Sequence, residues 1–114
     1  MVDPSQTLLA AVEKAVRAVV DRVDERLALM APDSADLYLW TRDYGSYGDV
    51  ELVMPPGTPR DWDIDWTDMR DGGKHVAVAM WTRQEGRSDL TLELDLHRDD
   101  HGSWPTRILD LHVL

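Results

Sequence analysis

The chain contains no cysteine and no phenylalanine. The first absence excludes disulfides, thiolate nucleophiles and Cys-ligated zinc, but it identifies no compartment. The second leaves five Trp and three Tyr as the only aromatic side chains, so some of them must fill the core. Positive charge is scarce too. Twelve Lys and Arg stand against 22 Asp and Glu, a net charge of −10. A surface of that sign repels phosphates and anionic lipid headgroups, so neither nucleic acid nor a membrane is an expected partner. A basic protein, a cation or plain solubility is consistent with it. No apolar run approaches the roughly 18 residues a membrane span needs. The opening Met1-Val2-Asp3-Pro4-Ser5 has neither the basic nor the apolar segment of a secretory signal, which makes a cytoplasmic location the expectation. There is no glycine-rich phosphate loop, and Gly72-Gly73 follows an acid, a poor place for an anion. The five serines, Ser5, Ser34, Ser46, Ser88 and Ser103, lie in no nucleophile-elbow context.

What is present describes a globular chain. Hydrophobic residues make up 43% of the 114 and charged residues 30%, values that suit one domain spanning 1–114. A chain of this length buries roughly two-thirds of its unfolded surface and needs no covalent staple. The acidity is uneven. Residues 1–31 hold five acids and four bases, a balance of −1, whereas residues 32–114 hold seventeen and eight, a balance of −9.

Residues 4–31 read as one helix. Asp3 suits the N-cap, Pro4 the first helical position, and Gln6 completes a capping-box spacing. Leu9, Val12, Val16, Val19, Val23, Leu27 and Met30 step by three or four and form one apolar stripe. Glu13, Lys14, Arg17, Asp21, Arg22, Asp24 and Glu25 occupy the other face, and Ala31-Pro32 ends the helix. Such a helix would run about 40 Å, longer than the roughly 27 Å of an eight-residue strand. Its excess must bend, overhang or pack on a second copy, and the last option makes a homodimer an expectation.

Beyond Pro32 the apolar period changes to two. Strands are expected at Asp36–Arg42, Val50–Met54, Asp61–Trp66, Lys74–Arg83, Leu90–His97 and Arg107–Val113. The Pro-rich stretch 55–60 is a loop, and Asp71-Gly72-Gly73 and Asp99–Pro105 are turns. Trp40-Thr41-Arg42-Asp43-Tyr44-Gly45 and Trp81-Thr82-Arg83-Gln84-Glu85-Gly86 share the pattern W-T-R-x-x-G, each followed by an Asp and an alternating strand. Two hairpins of like design are implied, with Gly supplying a positive-φ turn position. The expected fold class is α+β: one long N-terminal helix packed on a predominantly antiparallel sheet of about four to six strands over 36–114.

Three groups of side chains invite chemistry. Asp61-Trp62-Asp63-Ile64-Asp65-Trp66 puts three carboxylates on one strand face and Trp-Ile-Trp on the other. Asp at positions one, three and five opens a calcium loop, yet Trp66 stands where the turn glycine is required and Gly72 where the bidentate Glu is required. An amphipathic edge strand whose like charges discourage aggregation explains the pattern without metal. His97, Asp99, Asp100 and His101 lie at a strand end and in a polar turn, where helical metal spacing does not apply. No metal and no cofactor is therefore expected. In the last hairpin, placing Leu92, Leu94, Leu109 and Leu111 on one buried face brings Glu93 opposite Asp110 and Thr91 opposite His112. Glu93, Asp110 and His112 form an alternative acid–base cluster. No nucleophile paired with a base and no oxyanion hole accompanies them, so no catalytic residue is assigned.

Aromatic residues gather around the first hairpin. Tyr38 and Trp40 share one face of a strand whose other face carries Leu37 and Leu39, which suits a strand covered on both sides. Tyr44 and Tyr47, in a Gly-rich loop, suit an exposed contact.

Glu85-Gly86-Arg87-Ser88-Asp89-Leu90-Thr91-Leu92 and Asp110-Leu111-His112-Val113-Leu114 resemble small uncharacterised bacterial domains, many of them from high-GC actinobacteria. Ten Arg against two Lys agrees with such a source. The resemblance covers about thirty residues and carries over no site residue.

The leading functional expectation is a non-enzymatic acidic protein that captures a basic protein partner. Its size and charge resemble those of immunity proteins and antitoxins. Asp61, Asp63, Asp65, Tyr44 and Tyr47 are the candidate contacts. The alternative is a small-ligand or enzymatic pocket in a cone-shaped, helix-on-sheet fold resembling nuclear-transport-factor-like proteins. Tyr38, Trp40, Met54, Met80 and Trp81 would line it, with His75 or His112 as the acid–base group.

Overall fold

A computed structural model describes residues 4–21 and 51–113. Helix α1 spans Pro4–Asp21. Its 18 residues rise about 27 Å, the length of an eight-residue strand. Val12, Ala15, Val16, Ala18 and Val19 are fully buried, the stripe that the three–four spacing predicts. Lys14 and Arg17 face solvent, and Arg17 makes an exposed pair with Glu13 at 3.4 Å, one turn away. The Asp3 cap, the expected continuation over 22–31, the strand Asp36–Arg42 and the first W-T-R-x-x-G copy lie outside the described residues. So does the extra helix length that motivated a dimer.

Five antiparallel strands follow: β1 Leu52–Val53, β2 Ile64–Asp68, β3 Lys74–Thr82, β4 Gly86–Leu96 and β5 Thr106–Val113. The sheet curls, and β3 is at its centre. β4 pairs along one side of β3 and β5 along the far side of β4. β1 and β2 share the other side of β3, with β1 against Trp81 and Thr82 and β2 against 74–78. This is an α+β arrangement of one helix and a five-stranded antiparallel sheet.

The core follows from strand alternation. Val76, Val78 and Met80 of β3 are buried, with Leu90, Leu92, Leu94 and Leu96 of β4. Val76 pairs with Leu94 and Val78 with Leu92, so the apolar faces of the two strands coincide. The helix valines, Ile108, Leu111 and Trp62 complete one cluster, and Trp104 packs at its margin. Among the described residues, neither Trp62 Nε1 nor Trp104 Nε1 has a hydrogen-bond partner.

Hairpin turns fall where glycine marks them. Gly86 takes φ 75° at the start of β4, as W-T-R-x-x-G requires, and the Thr82 hydroxyl accepts from the Glu85 N–H at 3.0 Å. At the β2–β3 turn, Gly72 takes φ 89° and the Asp71 carboxylate accepts from the Gly73 N–H at 3.0 Å. That bond holds the Asp71 carboxyl below the usual carboxylate range; desolvation opposes it, and His97, 3.0 Å away, adds to it.

Two expectations about alternation are corrected. First, Asp61–Trp66 is not one strand. Pro59–Asp61 winds into a 3-10 turn, and β2 starts only at Ile64. Proline sets the helical φ, and the Asp61 carboxylate closes the turn by accepting from the Thr58 N–H at 2.9 Å and the Thr58 hydroxyl at 3.2 Å. The Trp-Ile-Trp face therefore diverges: Trp62 is buried, Ile64 half-buried, and Trp66, out on the edge strand, is 40% exposed. Second, Leu109 does not share the buried face. It is 43% exposed, whereas its neighbour Ile108 is only 5% exposed. Glu93 pairs with Asp110 and Thr91 with His112, as the sequence pattern implies, but the next pair is Leu94 with Ile108. A β-bulge inserts one residue in β5 and reverses which side of the strand points inward.

A second bulge shapes the outer face. Ala79 pairs with Thr91 and Trp81 with Arg87, so Ser88, Asp89 and Leu90 stand against Met80 alone. Ser88, 4% exposed, substitutes for the interrupted ladder. Its hydroxyl donates to the Met80 carbonyl at 2.8 Å and accepts from the Leu90 N–H at 3.2 Å.

Candidate functional site

Helix α1 and the core cover one face of the sheet. The opposite face of its centre is built from the alternate residues, and these are small and polar. On β3 they are His75, Ala77 and Ala79, with Trp81 at the end. In register across β4 come Asp95, Glu93, Thr91 and, past the bulge, Arg87. On the other side Asp65 of β2 stands opposite Ala77, and Thr67 opposite His75.

The two alanines leave a hollow. A shallow groove of about 80 Å³ runs over Ala77 and Ala79, between Asp63 and Asp65 on one side and Arg87 and Asp89 on the other. It exists because alanine is the smallest side chain available at the centre of the strand, and because the β4 bulge turns Asp89 toward it. The Arg87 guanidinium engages a single oxygen of Asp63, through Nε at 3.0 Å and through a terminal nitrogen. Both side chains are more than half exposed, so this pair adds little to stability. Asp65 and Asp89 have no counter-ion for their carboxylates among the described residues. The groove therefore presents two uncompensated negative charges above an apolar floor.

Next to Ala77 on the same face, His75 bridges two carboxylates of β4. Its Nδ1 lies 2.9 Å from Asp95 Oδ1 and its Nε2 3.2 Å from Glu93 Oε1. The hydrogen bond to Asp95 raises the imidazole pKa above its ordinary value. Partial burial opposes the rise, and Glu93 adds to it.

The candidate residues read from the sequence separate on this framework. Asp61 is occupied in the 3-10 turn, Asp63 is paired with Arg87, and Asp65 lines the groove with no ion-pair partner among the described residues. Tyr38, Trp40, Tyr44 and Tyr47 lie outside the described residues. Of the alternative pocket, Met80 is buried in the core whereas His75 and Trp81 lie at positions of opposite parity, on the outer face. Of the alternative acid–base cluster, Asp110 stands opposite Glu93 in register and accepts from the Leu111 N–H at 2.9 Å, and the His75 imidazole also reaches Glu93. The Asp99 carboxylate accepts from the N–H groups of His101 and Ser103, both at 2.9 Å, and is used in closing its turn. Among the described residues no group of three or more His, Asp and Glu is placed to hold a metal ion.

Three features of the site do not follow from strand alternation: Arg87, Asp89 and the pairing of His75 with Asp95. Counting outward from the Gly86 turn pairs His75 with Glu93; the bulge at 88–90 moves Asp95 opposite the ring instead. A Ser-Asp pair inside an otherwise regular strand is the only local sign of that bulge.

Fold and site together define a helix-backed, curled antiparallel sheet with an acidic groove on its outer face. The chain belongs to the family described as Domain of unknown function (DUF7668), whose model matches residues 10–114. Neither the curated proteins nor the solved structures yield a match. Among the described residues no helix is long and apolar enough to cross a membrane.

Proposed function

We propose that this protein is a non-enzymatic binding domain that captures a basic protein partner, as immunity proteins and antitoxins do, and that the groove over Ala77 and Ala79 seats a cationic side chain of that partner. The acid-walled groove supports this reading most directly. Pockets for whole small-molecule ligands enclose roughly 300–1,000 Å³; a groove of about 80 Å³ suits the end of one lysine or arginine. Alanine methyls can pack against the aliphatic stem while Asp65 and Asp89 receive the charged head. The net charge of −10 adds long-range attraction for a basic surface. Tyr44 and Tyr47 belong to the same proposal as aromatic contacts, on the strength of the sequence alone.

Calorimetric titration of a short arginine-rich peptide tests the reading. Binding should weaken steeply as ionic strength rises, and Asp65→Asn combined with Asp89→Asn should remove most of it. Asp61→Asn should leave binding unchanged, because that carboxylate faces its own turn. Binding that ignores salt and the Asp65 and Asp89 changes contradicts the proposal.

A further inference from the structure

The bridge between β3 and β4 carries a consequence independent of any partner. A neutral imidazole has one N–H and can donate to one acceptor only. His75 has a carboxylate oxygen at each ring nitrogen, Asp95 at 2.9 Å and Glu93 at 3.2 Å. Carboxylates accept but do not donate when ionised, so both contacts are hydrogen bonds only if the ring holds two protons. From this geometry we infer that His75 is a proton-operated clamp: as an imidazolium it fastens β3 to β4 at two points, and on losing a proton it releases one of them.

The surroundings favour the charged form. From β4, Glu93 and Asp95 face the ring directly. From β2, uncharged Thr67 stands opposite His75 in register, with Asp65 and Asp68 on the same strand; Lys74 of β3 is paired with Asp68. From β5, beyond β4, Arg107 stands opposite Asp95 and Asp110 opposite Glu93. The described residues of helix α1 pack into the core on the other face. The cluster is half-buried, so its charges are screened less than on open surface but are not sealed from water. The direction of the imidazole shift agrees, with Asp95 its largest cause.

Deprotonation has a defined effect. The Nε2–Glu93 contact is the longer, and it changes from a charge-assisted bond to a lone pair facing a carboxylate. The clamp opens there first, and the outer face gains a negative charge beside Ala77. The fastening contributes fully to stability below the unfolded-state pKa of about 6.5 and is lost as pH rises through the higher folded-state value.

Ring nitrogen chemical shifts, followed by NMR through a pH titration of the full chain, read the clamp directly. The His75 midpoint should lie above 6.5, the ordinary value. Asp95→Asn should lower it most and Glu93→Gln should lower it less. Urea denaturation of wild type and His75→Gln across the same range gives a second readout: the wild-type advantage should be present at acid pH and fade through the midpoint. A midpoint at or below 6.5, or one that neither carboxylate variant moves, overturns the inference. So does a wild-type advantage that is constant with pH.

Discussion

Leu109 and Leu111 are two residues apart on one strand, and simple alternation gives them the same fate. The bulge in β5 gives them opposite ones: Leu111 is fully buried and Leu109 is 43% exposed. Leu111→Ala should therefore cost about 2–5 kcal/mol, from lost burial and the cavity left behind. Leu109→Ala should stay within roughly 0.5 kcal/mol, as an open surface change does. Equilibrium unfolding of the two variants in urea checks both values. Equal losses would mean the strict alternation is right and the bulge wrong. Ser88 presents a different residue-scale case. Its hydroxyl serves two backbone groups that the β4 bulge takes out of the ladder. Ser88→Ala leaves both without that partner in a buried setting and should cost about 1–3 kcal/mol, measured the same way.

At the scale of elements, most of the fold is legible in the sequence because most of it follows a period. The helix announces itself through Val12, Val16 and Val19, and the cross-strand pairing of β3 with β4 through the alternation of Val76, Val78 and Met80 against four leucines. Turns are legible for another reason: Gly72 and Gly86 sit at positive φ, which few other residues tolerate. What is not legible is irregularity. A bulge changes the phase of a strand by inserting a residue, and a period of two read across it does not reveal the shift. The two misread faces, Leu109 in β5 and Asp61 ahead of β2, both come from extending a period past the point where the backbone breaks it. The site suffers most from this. Asp65 is legible because it lies on a regular strand, whereas Asp89 and the Asp95 partner of His75 depend on the β4 bulge.

Across the whole molecule, the acidity divides by face and not only by segment. The helix side of the sheet carries the buried apolar cluster, from Val12 to Leu111. The outer side gathers Asp63, Asp65, Asp89, Glu93 and Asp95; Arg87 is engaged by Asp63, His75 lies against two carboxylates, and Arg107 stands opposite Asp95. A negative field on that side, deepest over two alanines, is the central physical claim about function. The most direct measurement is to locate where a cation lands. Backbone amide shifts should be recorded by NMR while an arginine-rich peptide is added, with a glutamate-rich peptide of equal length as control. The largest changes are predicted at Asp65, Ala77, Ala79 and Asp89, for the arginine peptide only. Changes of equal size from the glutamate peptide, or changes that fall elsewhere and leave Ala77 and Ala79 unmoved, would contradict it.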